Sequence, residues 1–193
     1  MGHSQAAKAE SRDKIMRIAS RALRENGIAA LGVNDLMRAA GMTHGGFYGH
    51  FASRDALIDA ALERALAAGA KDAVLPGEPA PDARSAPSLR HYVRAYLSRA
   101  HRDNPGTGCA MAALAGDLSR APKRLRTRFT HALRAFHNGL AGLIGGDAAR
   151  RQSLAAVSTM IGALILSRAV DDEALSDEIL LSAKQAVIAL GEG

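Results

Sequence analysis

A chain of 193 residues, 48% of them hydrophobic, can fill one or two cores without covalent staples. Its single cysteine, Cys109, excludes an internal disulfide or a cysteine-built zinc site and suits a reducing, cytoplasmic setting. The net charge of +6 is uneven, with 12 Lys/Arg against 5 Asp/Glu in residues 71–135 but 4 against 7 in residues 136–193, so total charge argues only weakly for a polyanionic partner.

The N-terminal stretch "MGHSQAAKAE" lacks the basic-then-apolar layout of a secretory signal, and residues 1–10 read as a polar, disordered arm. Ile15, Ile18, Ala19, Ala22 and Leu23 then recur at helical spacing, predicting an amphipathic helix over 11–26 that stops at Asn26-Gly27. Val33, Leu36, Met37 and Ala40 predict a short second helix ending at Gly41. A long third run, marked by Leu57, Ile58, Ala61, Leu62, Ala65 and Leu66, starts after Ser53, a good N-cap. The segment 76–87, "PGEPAPDARSAP", holds four prolines and cannot continue a helix, so it is the expected boundary between two regions.

Beyond it the pattern predicts helices over 88–102, through "CAMAALAGDLSR", from about 123 to 144, near 147–170 and near 174–190. The longest unbroken apolar run, Met160–Leu166, is seven residues against the roughly 20 needed to cross a bilayer, so no membrane span is expected. Period-2 alternation is missing throughout. The fold class expected is all-α, with about nine helices.

The stretch "GMTHGGFYGHF", residues 41–51, interrupts this alanine-rich pattern with four glycines and two histidines. A phosphate-binding P-loop would need Gly-Lys followed by Ser or Thr, which is missing. "HGG" looks superficially like an esterase oxyanion loop, but the chain has no G-x-S-x-G nucleophile elbow. His44 and His50 are six apart, which on a helix turns them about 120° from each other and unsuits them to one metal. The same spacing separates His131 from His137. The arrangement that accounts for the stretch is a turn followed by the second helix of a helix-turn-helix. Gly41 supplies the left-handed residue, Met42 tucks under the turn, Thr43 caps the helix "HGGFYGHF", and the glycines let its backbone come close to base edges. Phe47 and Phe51 belong on its inner side.

Residues 11–63 resemble the DNA-binding domain of TetR/AcrR-type transcriptional regulators. Gly27, Val33, Asp35, Ala39-Ala40-Gly41, Gly45, Phe47-Tyr48, His50-Phe51, Arg54 and Leu57 all stand in that family's register. The resemblance implies a helix-turn-helix domain over 11–53, a connecting helix over 54–75 and a ligand-binding and dimerisation domain over 88–193. It implies a homodimeric repressor, not an enzyme, that binds a pseudo-palindromic operator in double-stranded DNA until a small-molecule effector releases it, with no cofactor or metal. The DNA-binding set it implies is Asn34, Thr43, His44, Gly45, Gly46, Phe47, Tyr48, His50 and Arg54. Within that set Thr43, His44 and Gly46 face bases, while Tyr48, His50 and Arg54 take phosphates. His44 replaces the lysine usual in the family, and Gly32 removes a hydroxyl for which Asn34 is the substitute.

The effector pocket implied by family geography draws on Tyr96, Cys109, Met111, Leu114, Phe129, Phe136 and Met160. The apolar residues of the last two helices, Leu154, Val157, Ile161, Leu164, Ile165, Ile179, Leu180, Ala183 and Val187, suit a two-fold four-helix dimer interface. The basic run Arg120–Arg134 reads as a solvated helix face. Cys109, near a helix start, reads first as an inert, buried small hydrophobe; the alternatives are a thiol that senses electrophiles or oxidants, and the nucleophile of a thiol enzyme.

Overall fold

The computed structural model describes residues 5–71 and 88–191, so the Pro-rich boundary 76–87 lies outside the described residues. The first helix, α1, runs Gln5–Asn26 and absorbs most of the arm expected over 1–10. Residues 6–10, Ala-Ala-Lys-Ala-Glu, are all strong helix formers with nothing to stop them, so the helix starts six residues earlier than expected. Gly27, at φ +80°, ends it.

The helix α2, Val33–Ala39, ends in a paired closure: the Gly41 N–H donates to Arg38 O at 2.9 Å and the Met42 N–H to Met37 O at 2.8 Å. Gly41 takes φ +72°, as this closure requires. Thr43 is extended, and the six residues His44–Gly49 then form a 3-10 turn of helix instead of the α-helix expected through Phe51. Three glycines among six residues, each costing about 1 kcal/mol in an α-helix, explain why the tighter and shorter form wins. Thr43 makes no side-chain cap bond. Ser53 does cap, accepting the Ala56 N–H at 3.1 Å, and opens α3, Arg54–Lys71.

The remaining helices are α4 Leu89–Tyr96, α5 Arg99–Asp103, α6 Ala110–Ser119, α7 Lys123–Ile144, α8 Ala149–Ala169 and α9 Glu173–Leu190. The single helix expected over 88–102 is two, because Ser98 turns extended and caps α5 by accepting the His101 N–H at 3.1 Å. No strand occurs among the described residues.

Two apolar cores result. The first joins α1, α2, the 3-10 segment and α3, yet also takes Leu114 and Leu118 of α6 and Leu125 of α7. The second lies among α4, α7, α8 and α9. Cys109, Leu133, Phe136 and Ile161 touch both. By length and composition α8 is the one described helix that meets the requirement for crossing a bilayer, which the count of seven consecutive apolar residues understates. Here it is a bundle helix whose Ala156, Val157, Met160 and Leu164 are buried in the second core.

Candidate nucleic-acid interface

The 3-10 segment divides its side chains cleanly. Phe47 and Phe51 are 1% and 4% exposed, with rings stacked 5.7 Å apart. Tyr48, one residue from Phe47, is 67% exposed and stands edge-on to Phe47 and to His44. Thr43, His44, Gly45 and Gly46 are exposed beside it, and Asn34 is exposed at the start of α2. A Cβ added at Gly45 or Gly49 would meet nothing within 4 Å, so internal packing does not require glycine there. What a side chain there would obstruct is a surface arriving from outside.

Two of the expected phosphate ligands have other engagements. Arg54 donates from Nε to Leu31 O at 2.9 Å and from one terminal nitrogen to Ile28 O and Ala29 O at 3.0 and 3.2 Å. Its guanidinium therefore pins the turn between α1 and α2, a job invisible in sequence because the acceptors are backbone atoms 23 to 26 residues back. His50 turns toward α1: its carbonyl accepts from Arg12, and its Nδ1 is buried without a partner. Burial, with Lys8 and Arg12 nearby, holds its imidazole below the ordinary histidine pKa. The signal that marks Lys8 and Arg12 is their basic i, i+4 spacing, hidden because Lys8 fell in the arm expected over 1–10 and Arg12 in the helix expected over 11–26.

The basic run 120–134 is partly neutralised within the chain. Arg128 grips Asp59 with two bonds of 2.8 and 2.7 Å and reaches Glu63 at 3.1 Å, while Arg124 pairs with Asp55 at 3.2 Å. A cleft of about 660 Å³ opens beside this ladder between α3 and α7, floored by Leu66 and Ala132. None of the residues expected to line the effector pocket lines this cleft.

Those residues divide between the cores. Met111, Leu114 and Phe129 pack in the first and Met160 in the second. Tyr96, Cys109 and Phe136 do come together: the Tyr96 and Phe136 rings are 6.0 Å apart, and Tyr92 joins both. Tyr92 sits four residues before Tyr96 on one helix face, a spacing that could have flagged it. His101 adds a fixed element, with Nδ1 2.7 Å from Tyr96 O and Nε2 accepting the Cys109 N–H at 2.8 Å. That acceptance places the ring proton on Nδ1.

The expected dimer set needs correction. Val157, Leu164, Leu180, Ala183 and Val187 are at most 8% exposed and belong to this chain's own core. Leu154 and Ile165 remain exposed on α8, Ile161 and Ile179 are half-buried, and Leu166, Leu175 and Leu181 join the outward apolar surface. Helical spacing marks apolar faces but does not separate the inner from the outer when one helix carries both.

Residues 15–61, the span that builds this interface, match the sequence profile of bacterial regulatory proteins of the tetR family. Over that span the chain carries the DNA-binding signature of the tetR family. Solved structures of TetR-family regulators share its fold beyond that span. One from Cytophaga hutchinsonii is 18% identical, covers 98% of each chain and superposes with a TM-score of 0.74. Another, from Chloroflexus aurantiacus, is 21% identical over 96% of each chain, also at 0.74. Reduced NemR of E. coli is 20% identical over 92% of this chain and 95% of its own, at 0.70. No curated protein sequence matches the chain. Residues 15–61 thus carry the DNA-binding domain of a tetR-family transcriptional regulator, and the 3-10 segment after Gly41 lies within it.

Proposed function

We propose that the protein is a homodimeric repressor that reads a pseudo-palindromic operator and leaves it when a small molecule binds the helical domain. The observation that carries this reading is the 3-10 segment, buried on one side by Phe47 and Phe51 and open on the other at Thr43, His44, Gly45, Gly46 and Tyr48. One six-residue segment spans too few base pairs for a specific site, so two copies about 34 Å apart are required. The outward apolar residues of α8 and α9 supply a surface for that pairing. The effector is placed at the junction of the two cores, beside Tyr96, Cys109 and Phe136, where a ligand touches both domains. A mobility-shift titration against the DNA upstream of its own gene, at two salt concentrations, tests the reading. Saturable, sequence-dependent and salt-sensitive binding is expected; equal affinity for unrelated sequences would sink it.

A second reading, regulation through the thiol, is favoured by one observation. The Tyr96 hydroxyl is buried beside the Cys109 thiol, so a molecule that reaches the sulfur also meets a phenolic donor. Under this reading N-ethylmaleimide releases DNA from the wild type but not from Cys109→Ser. Release from both, or from neither, removes it.

A further inference from the structure

The face of α1 that meets the end of the reading segment forms a notch of about 420 Å³, lined by Gln5, Lys8, Ala9, Arg12, Gly49 and His50. Its chemistry is one-sided. Lys8 and Arg12 stand one helical turn apart, and no carboxylate lines the notch. The Arg12 guanidinium lies 4.2 Å from the centre of the Phe51 ring and donates to His50 O, which fixes its plane and leaves further N–H groups to donate. Asp13, the residue after Arg12, is paired with Arg64 at 2.5 Å and Arg17 at 3.8 Å. His50 Nδ1 is buried without a partner. At Gly49 a Cβ would meet nothing within 4 Å, so the notch stays open at the side where the reading segment ends.

We propose that this notch is a seat for one backbone phosphate of the DNA duplex, held by Lys8 and Arg12 of α1. It rests on the DNA-binding reading above and extends it from the helix-turn-helix to the first two turns of α1. The logic is one of division. Residues 41–51 contain neither lysine nor arginine, so the segment that faces the groove brings no fixed positive charge of its own. A phosphodiester at its C-terminal end meets two cations one helical turn apart, which is a charge-assisted, multi-donor site. In a dimer the seat occurs twice, on symmetry-related strands.

Fluorescence anisotropy with a 30-bp mixed-sequence duplex, titrated between 50 and 200 mM KCl, tests this, because non-specific binding is set by phosphate contacts. The variants are Lys8→Gln, whose side chain is exposed, and Arg134→Gln, an exposed arginine of the α7 basic run, as control. Removing one phosphate contact per subunit lowers the slope of log K against log[salt] by about two per dimer and weakens binding roughly fifty-fold at 0.1 M salt. Arg134→Gln keeps the wild-type slope. A wild-type slope for Lys8→Gln, with the wild type binding normally, overturns the seat and leaves the DNA-binding reading standing. Failure of the wild type to bind any duplex overturns both. Should inorganic phosphate at constant ionic strength erase the difference between wild type and Lys8→Gln, the notch is a free-anion site and the duplex assignment is wrong.

Discussion

The carboxylate of Asp117, in α6, accepts the backbone N–H of Ile28 at 2.8 Å, so the end of α1 is capped by a side chain 89 residues away. Upstream of α6, Gly106 O accepts from Arg24 Nε at 2.7 Å. The last turn of α1 is therefore held at both ends of the α6 unit. The turn that follows α1 gives the carbonyls of Ile28 and Leu31 to Arg54, which opens the helix after the 3-10 segment. A shift of α6 has a hydrogen-bonded route to the DNA-binding elements through two residues, Ile28 and Arg54.

Asp117→Ala removes a carboxylate acceptor from a half-buried N–H, and a loss of about 2 kcal/mol is expected in urea unfolding, with a lower Tm. Gly27→Ala is expected to be worse, since position 27 has φ +80° and its new Cβ would lie 2.7 Å from the Asp117 carboxylate. In the Asp117→Ala background the clash disappears but the backbone strain stays, so the double variant is less unstable than the sum of the two.

Arg54→Ala is expected to lower the Tm and weaken DNA binding while leaving the salt slope unchanged, because its guanidinium holds three backbone carbonyls. A slope reduced by about one per subunit would return Arg54 to the phosphate set. Tyr48→Phe, at a side chain 67% exposed, is expected to leave stability alone and weaken binding to every duplex, as loss of a phosphate hydrogen bond would.

His101 ties stability to pH. Burial, the largest influence, pushes its pKa down to about 4, against about 6.5 for an unfolded chain. The folded state binds the proton more weakly, so stability is full above about pH 6.5 and falls as the pH drops toward 4. Between pH 7.5 and 5 the loss is about 2 kcal/mol. Denaturant melts of wild type and His101→Gln at both values check this: the variant should be less stable at pH 7.5 and lose less on acidification.

The two faces of α8 should respond differently. Ile165→Glu with Leu181→Glu, both on the outward apolar surface, is expected to give a folded monomer by light scattering that no longer binds specifically. Leu164→Ala, fully buried, should cost about 2–5 kcal/mol in unfolding and leave the oligomeric state unchanged.

Much of this molecule was legible because its local signals are strong. The apolar period of α1 and α3, the Gly41 stop and the Ser53 cap all act over one turn of chain, and each stands where the pattern places it. What escaped depends on distance or competition. The break between α4 and α5 turns on a single serine preferring a cap to a helical interior, and α1 starts early because nothing opposes it. The partners of Arg54 and the neutralisation of Arg124 and Arg128 by α3 carboxylates are long-range pairings that no spacing announces. In the candidate site the reading segment was recognisable by its glycines and aromatic pair, but its 3-10 form was not, since propensity tells that an α-helix is costly and not what replaces it.

The absence of lysine and arginine from residues 41–51 also bears on engineering. If charge attraction resides on α1 and base discrimination on a neutral segment bounded by Gly41 and Phe51, the two properties can be altered one at a time. Grafting another six-residue reading segment between Thr43 and His50, with Phe47 retained as its anchor, would re-address the protein to a new operator while leaving its ionic response as it is.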